Sequence, residues 1–302
     1  MDETETLPGP PPTQVRHRYA GVNGIRLHYV EAEPAPGGPG PLCVALHGFP
    51  EFWYAWRHQL PALAAAGFRT VAPDLRGYNL SDKPPGVASY RLSHLVGDVA
   101  GLIGAAGRER AAVIGHDWGG VIAWALAMRY PERVERLVVV NAPHPAAYLR
   151  ALRTSAQLLR SWYVFFFQLP GLPEWAFRRR DFALLERTLR HDPVRPGVFS
   201  DEDVRLYKEA LARPGALTAA LNWYRALFRR GPRRGRREVR PVPMPVLLLW
   251  GEQDRYLGRR LTEGLEPWVP HLRVERFPDA SHWIHAEWPG RVNRLLIDFL
   301  KG

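Results

Sequence analysis

The chain has one cysteine and three methionines, and only three of its 41 basic residues are lysines (Lys83, Lys208 and Lys301). A single thiol excludes an internal disulfide. The apolar neighbours of Cys43 in PLCVALHG point to a buried structural side chain and to a reducing compartment. No run approaches the ~20 apolar residues that a bilayer-spanning helix needs, and the N-terminus, MDETETLPGPPPTQV, lacks the charged-then-apolar pattern of a secretion signal. Residues 1–16 are therefore expected to be a disordered lead, and the protein to be cytoplasmic with no stable membrane anchor. There is no Cys/His cluster with metal-ligand spacing, no Walker sequence, no G-x-G-x-x-G loop placed after a strand and no internal repeat, so neither metal nor cofactor is expected.

What is present is a chain of 302 residues, 46% hydrophobic, which is enough for one large domain with a real core. The formal charge of +11 is almost wholly due to arginine. Much of the excess lies in FRRGPRRGRREVR, residues 228–240, whose Gly and Pro mark a solvated linker. Such a balance can signal a nucleic acid or an anionic membrane as partner. An Arg-biased surface linker is the preferred reading, with no nucleic-acid partner expected. A steep salt dependence of binding to heparin or anionic vesicles would favour the other reading.

From residue 19 the pattern alternates short apolar strands with helical segments, as a mostly parallel sheet flanked by helices requires. GVNGIRLHYVEA reads as a strand pair turning at Asn23-Gly24. LCVALHG, FRTVAPD, RAAVIGHD and RLVVVNAP follow as strands, with helical stretches between them. From about 145 to 240 no convincing buried strand occurs, only aromatic-rich helical segments; MPVLLLWGEQD and LRVERFPDASHW then restore the strand pattern. The expected class is α/β, with a core over residues 17–144 and 241–302 interrupted by a helical cap over residues 145–240.

In open parallel sheets, reactive groups gather beyond the carboxyl ends of strands. Gly115-His116-Asp117-Trp118-Gly119 has the glycine spacing of a nucleophile elbow, with an aspartate where a serine is usual. Asp117, Asp254 in WGEQDRY and His282 in DASHWIH follow the order nucleophile, acid, histidine, each on a loop after a strand. A carboxylate is ionised at neutral pH and turns an alkyl electrophile into an ester that water can cleave, whereas serine would leave an ether.

With these residues the chain resembles the α/β-hydrolases and, among them, the epoxide hydrolases, over nearly its whole length from about residue 17. HGFPEFWYAWRHQ and DLRGYNLSDKP add to the likeness. The resemblance implies that Asp117 attacks, that His282 activates water against the resulting ester and that Asp254 orients the histidine. It also implies an oxyanion hole from the backbone N–H groups of Phe49 and Trp118, with a cis bond before Pro50.

Haloalkane dehalogenases also use a nucleophilic aspartate, so the elbow leaves two electrophile classes open. SWYVFFFQLPG and LNWYRALFRR resemble the cap segments by which epoxide hydrolases present two tyrosines, and by that match Tyr163 and Tyr224 would hydrogen-bond the epoxide oxygen. A dehalogenase, or a hydrolase-fold binding protein without turnover, are the alternatives. Phe49, Trp53, Trp118 and Phe166 are expected to wall an apolar pocket for a small apolar epoxide. His116 and His144 are read as structural, and the protein as a monomer or homodimer.

Overall fold

The computed structural model describes residues 15–34, 40–229 and 239–302. Most of the expected N-terminal lead and of the Arg-rich linker lies outside these residues. Eight strands form one sheet: β1 (Arg16–Val22), β2 (Ile25–Ala32), β3 (Leu42–Leu46), β4 (Arg69–Pro73), β5 (Ala111–His116), β6 (Val134–Val140), β7 (Val246–Gly251) and β8 (Leu272–Phe277). Their spatial order is β1-β2-β4-β3-β5-β6-β7-β8. The β1–β2 and β2–β4 pairs are antiparallel and every other pair is parallel. The first strand opens at Arg16, inside the stretch read as a lead.

The central strands are buried on both faces, and their residues divide by alternation. Val44, Leu46, Val113, Leu248 and Trp250 join one core, while Cys43, Ala45, Ile114, Leu247 and Leu249 join the other. Helices cover both faces: α1 (Gln59–Ala65), α2 (Leu92–Ala105) and α3 (Trp118–Arg129) early in the chain, and the terminal helix Pro289–Lys301 at its end. Cys43 is fully buried, and burial pushes its thiol up to about 12.

Between β6 and β7 the described residues make helices and no strand: α4 (Pro145–Ala151), α5 (Ser155–Arg160), α6 (Trp162–Phe166), α7 (Leu172–His191), α8 (Asp201–Ala212) and α9 (Ala216–Phe228). Helix α7 is broken at residues 179–182, where Arg180, Asp181 and Phe182 have φ of +51°, +51° and +56°. A capping box from Ser200 and Asp203 starts α8. No helix among the described residues is long and apolar enough to cross a membrane.

Candidate active site

Asp117 sits between β5 and α3 with φ +49° and ψ −118°, a conformation that costs a non-glycine residue about 1–3 kcal/mol and is held here by its neighbours. The neighbouring glycines permit it. A Cβ on Gly119 would stand 2.1 Å from the carbonyl oxygen of Leu46, and one on Gly48 would stand 2.5 Å from the Asp117 Cβ. Sheet and elbow therefore touch backbone to backbone, and the carboxylate is thrust beyond the end of β5.

The Phe49 N–H donates to Asp117 Oδ2 at 3.0 Å, and the Phe49–Pro50 bond is cis. Trp118 is the first residue of α3, so its N–H lies among the helical donors that have no partner carbonyl in the preceding turn. His282, on the loop after β8, brings Nε2 to 3.6 Å from Asp117 Oδ1 and Nδ1 to 2.7 Å from Asp254 Oδ2. The carboxylate of Asp254 also accepts from Asn141 Nδ2 at 2.7 Å and from the backbone N–H groups of Tyr256 and Leu257 at 2.7 and 2.9 Å. Burial alone would raise the Asp254 pKa, but the charge and hydrogen bond of His282, with the hydrogen bonds from Asn141 and the Leu257 N–H, hold it below the ordinary value. For His282 burial acts downward, and the two carboxylates overcome it to lift the imidazole well above its ordinary value.

Above this group lie Tyr163 on α6 and Tyr224 on α9, their rings 6.0 Å apart and edge to face. Tyr224 is buried and packs edge-on against Phe49 at 5.5 Å and Trp118 at 5.1 Å. Burial, and after it the negative charge of Asp117, keep both phenols well above their ordinary pKa. Both are therefore neutral O–H donors next to a carboxylate.

The structure thus brings together Asp117, Asp254, His282, Phe49, Trp118, Tyr163 and Tyr224. The other two expected pocket residues, Phe166 and Trp53, are partly buried against the same core cluster. Phe166 turns to Trp162 and Phe167, at 6.2 and 6.0 Å, and it is Phe167, one position on, that meets Phe49 at 5.6 Å and Tyr224 at 5.0 Å. Trp53 packs on His17, Phe52 and Tyr54 towards the β1–β2 hairpin. His144 caps α4, its Nδ1 accepting from the Ala146 N–H at 3.3 Å.

Several residues were missed. Asn141, at φ +41° on the end of β6, braces Asp254 and accepts from the Gly251 N–H at 3.0 Å. Its position at a strand end beside a Pro-rich turn was the available signal. Tyr256 stands between Tyr163 and His282, edge-on at 5.4 and 5.5 Å, and its hydroxyl donates to Asp192. Beneath the site, Glu51, His116 and His285 converge, all fully buried, with ligand-type atoms within 4.8 Å of one another. Three distant segments supply them, so no local spacing reveals the group. Glu51 and His116 are hydrogen-bonded: His116 Nδ1 is 2.7 Å from Glu51 Oε2, His116 Nε2 is 3.0 Å from the His282 carbonyl, and the Tyr207 hydroxyl donates to Glu51 Oε1 at 3.2 Å, while His285 Nε2 stands 3.4 Å from Glu51 Oε1. Burial pushes the Glu51 pKa up, and the charges of His116 and His285 outweigh it to hold the carboxyl well below its usual range. The cluster ties the main chain of His282 to the HGFPE loop.

Residues 41–289 match the family described as alpha/beta hydrolase fold. A Bacillus subtilis protein named AB hydrolase superfamily protein YfhM is 45% identical over 95% of this chain and 98% of its own length. The mouse protein named Epoxide hydrolase 4 is 39% identical over 96% of this chain and 81% of its own. Among solved structures, the Bacillus megaterium epoxide hydrolase in complex with an inhibitor superposes with a TM-score of 0.85 at 34% identity, covering 94% of this chain and all of that one.

Proposed function

Since this chain belongs to the alpha/beta hydrolase family and, within it, to the epoxide hydrolases, we propose that it opens an epoxide to a vicinal diol through an ester on Asp117. The observation that carries this reading is a carboxylate at the elbow facing both a histidine and two neutral tyrosines. In it, Asp117 Oδ1 attacks an epoxide carbon, the C–O bond opens, and the departing oxygen takes a proton from Tyr163 or Tyr224. Asp117 Oδ2, held by the Phe49 N–H at 3.0 Å, becomes the ester carbonyl oxygen. His282 then takes a proton from water, whose oxygen attacks Asp117 Cγ. Phe49 and Trp118 N–H groups stabilise the oxyanion; collapse breaks the bond between Asp117 Cγ and the ester oxygen, the departing alkoxide takes the proton held by His282 to complete the diol, and the second proton of the water returns to the tyrosinate as the carboxylate is restored.

The charge changes fit this order. While Asp117 is ionised, its charge and that of Asp254 favour the imidazolium of His282, a poor base. Alkylation makes Asp117 neutral, so the imidazole becomes basic at the step that needs a base.

A single turnover in 18O-labelled water, followed by a second in ordinary water, tests the scheme. Label should enter Asp117 first and reach diol only afterwards. Label in the first-turnover diol would mean direct attack by water and would overturn it.

A further inference from the structure

Eleven of the twelve exposed large apolar side chains among the described residues lie between β6 and β7, and seven fall between residues 158 and 175. Leu159, Trp162 and Trp175 are 74%, 63% and 57% exposed. Leu158 and Leu159 lie on α5, Trp162 and Phe165 on α6, Leu169 in the bend after it, and Leu172 and Trp175 at the start of α7. The inner sides of α6 and α7 meet where Phe167 and Phe177 pack at 6.0 Å. Arg225 ties the two together by donating to the carbonyls of Phe167 and Leu169 at 3.0 and 3.1 Å and to the Glu174 carboxylate at 2.7 Å. The outer sides of α6 and α7 thus form one apolar surface, larger than scattered exposed side chains would make.

That surface is also cationic. Of the six arginines in residues 145–180, Arg150 donates to the carbonyls of Glu263 and Gly264 and Arg160 to that of Asp254, while Arg178, Arg179 and Arg180 follow Trp175 in sequence; the one carboxylate of the segment, Glu174, is engaged by Arg225. An open groove of about 590 Å³ beside the apolar residues is lined by Glu174, Trp175, Arg178, Arg179 and Thr218, and the Arg179 guanidinium lies 5.3 Å over the Trp175 ring. Two copies meeting here would oppose arginine to arginine, and a neutral partner would leave the guanidinium groups unanswered. An anionic lipid surface satisfies both features, because aromatic and leucine side chains enter the headgroup–acyl boundary while guanidinium groups take the phosphates.

We propose that the outer face of α5–α7 is a peripheral docking surface for anionic lipid, with Trp162 and Trp175 inserted and Arg178 and Arg179 on headgroup phosphates. The inference concerns binding alone and stands apart from the reaction on Asp117. The test is co-sedimentation of the full chain with vesicles of phosphatidylcholine, with and without about one third phosphatidylglycerol. Partition should favour the phosphatidylglycerol vesicles, and a rise from about 0.05 to about 0.5 M salt should lower it about tenfold or more. Trp162→Ala/Trp175→Ala and, separately, Arg178→Gln/Arg179→Gln should each lower it about tenfold, with the circular dichroism spectrum and melting temperature unchanged.

A third variant neutralises the arginines between 229 and 240. If that change alone abolishes binding while the other two variants bind like the parent, the proposal fails. It fails equally if partition is the same on pure phosphatidylcholine, or if the two tryptophans instead hold a dimer and no vesicle binding occurs.

Discussion

Asp117→Asn isolates the charge on the elbow from its shape. The asparagine side chain can keep an oxygen on the Phe49 N–H while removing the negative charge 3.6 Å from His282 Nε2. At that distance a unit charge contributes about 1 kcal/mol in a water-like medium and about 5 kcal/mol at an effective dielectric of about 20. Asp117 and His282 are partly screened, so the His282 pKa should fall by about 1–3 pH units. Long-range nitrogen–proton NMR on the imidazole reads this directly. Asp254 remains 2.7 Å away in both proteins and keeps the Nδ1 proton in place, so the change should appear at Nε2.

The same substitution moves a stability window. A histidine whose folded pKa is raised contributes stability that is fully present below about pH 6.5 and is lost as pH rises through the folded value. In Asp117→Asn that upper limit comes down, so the melting temperature of the variant should begin to decline at lower pH than that of the parent. If the His282 pKa stays within about half a pH unit of the parent value, Asp117 does not set the protonation of the base, and alkylation cannot switch it on.

Tyr163→Phe and Tyr224→Phe should each slow first-turnover ring opening about 100-fold, and the double variant more, while chloride release from a haloalkane, if any, stays as it was. Stopped-flow fluorescence and a halide assay would read the two, and an unaffected epoxide rate would remove the tyrosines from the reaction. Asn141→Ala leaves the buried Asp254 carboxylate and Gly251 N–H short of one partner each, and should lower the denaturant midpoint by the equivalent of about 1–3 kcal/mol. Gly119→Ala drives a methyl group to 2.1 Å from the Leu46 carbonyl and should cost about 3 kcal/mol or prevent folding; a soluble variant as stable as its parent would contradict the backbone contact.

The fold could be read from the sequence because its signal is local. Val44, Ala45, Val113 and Leu248 sit in short apolar runs bounded by glycine or proline, and a strand buried on both faces needs no alternation to be recognised. Asp117 and Asp254 were equally legible, since each lies within three residues of the end of such a run; His282 follows the alternating strand LRVERF and was found by its order after the other two. Phe166 shows where this stops. Neighbouring residues on a helix point about 100° apart, and in a run of three phenylalanines the pattern does not say which one faces inward; contact with Phe177 and Arg225 selects Phe167. The packing of Trp53 was likewise not legible, because the β1–β2 hairpin, distant in sequence, supplies its partner His17.

Glu51 was hidden by the same non-locality, and with His116, read from the sequence as structural, it braces the elbow's surroundings. In the proposed scheme Asp117 changes charge during the reaction, and such a nucleophile needs a base whose position does not depend on that charge. Asp254 holds His282 at Nδ1, and His116, fixed by Glu51, holds its main-chain carbonyl at 3.0 Å. Neither contact involves Asp117. If the carboxylate becomes an ester, as proposed, the attraction between Oδ1 and Nε2 disappears, while these two contacts hold the imidazole in position and it loses only a reason to stay protonated. Buried polar groups are costly unless partnered, and the two partners of His282, Asp254 at Nδ1 and His116 at the main-chain carbonyl, separate the aim of the histidine from the charge on Asp117.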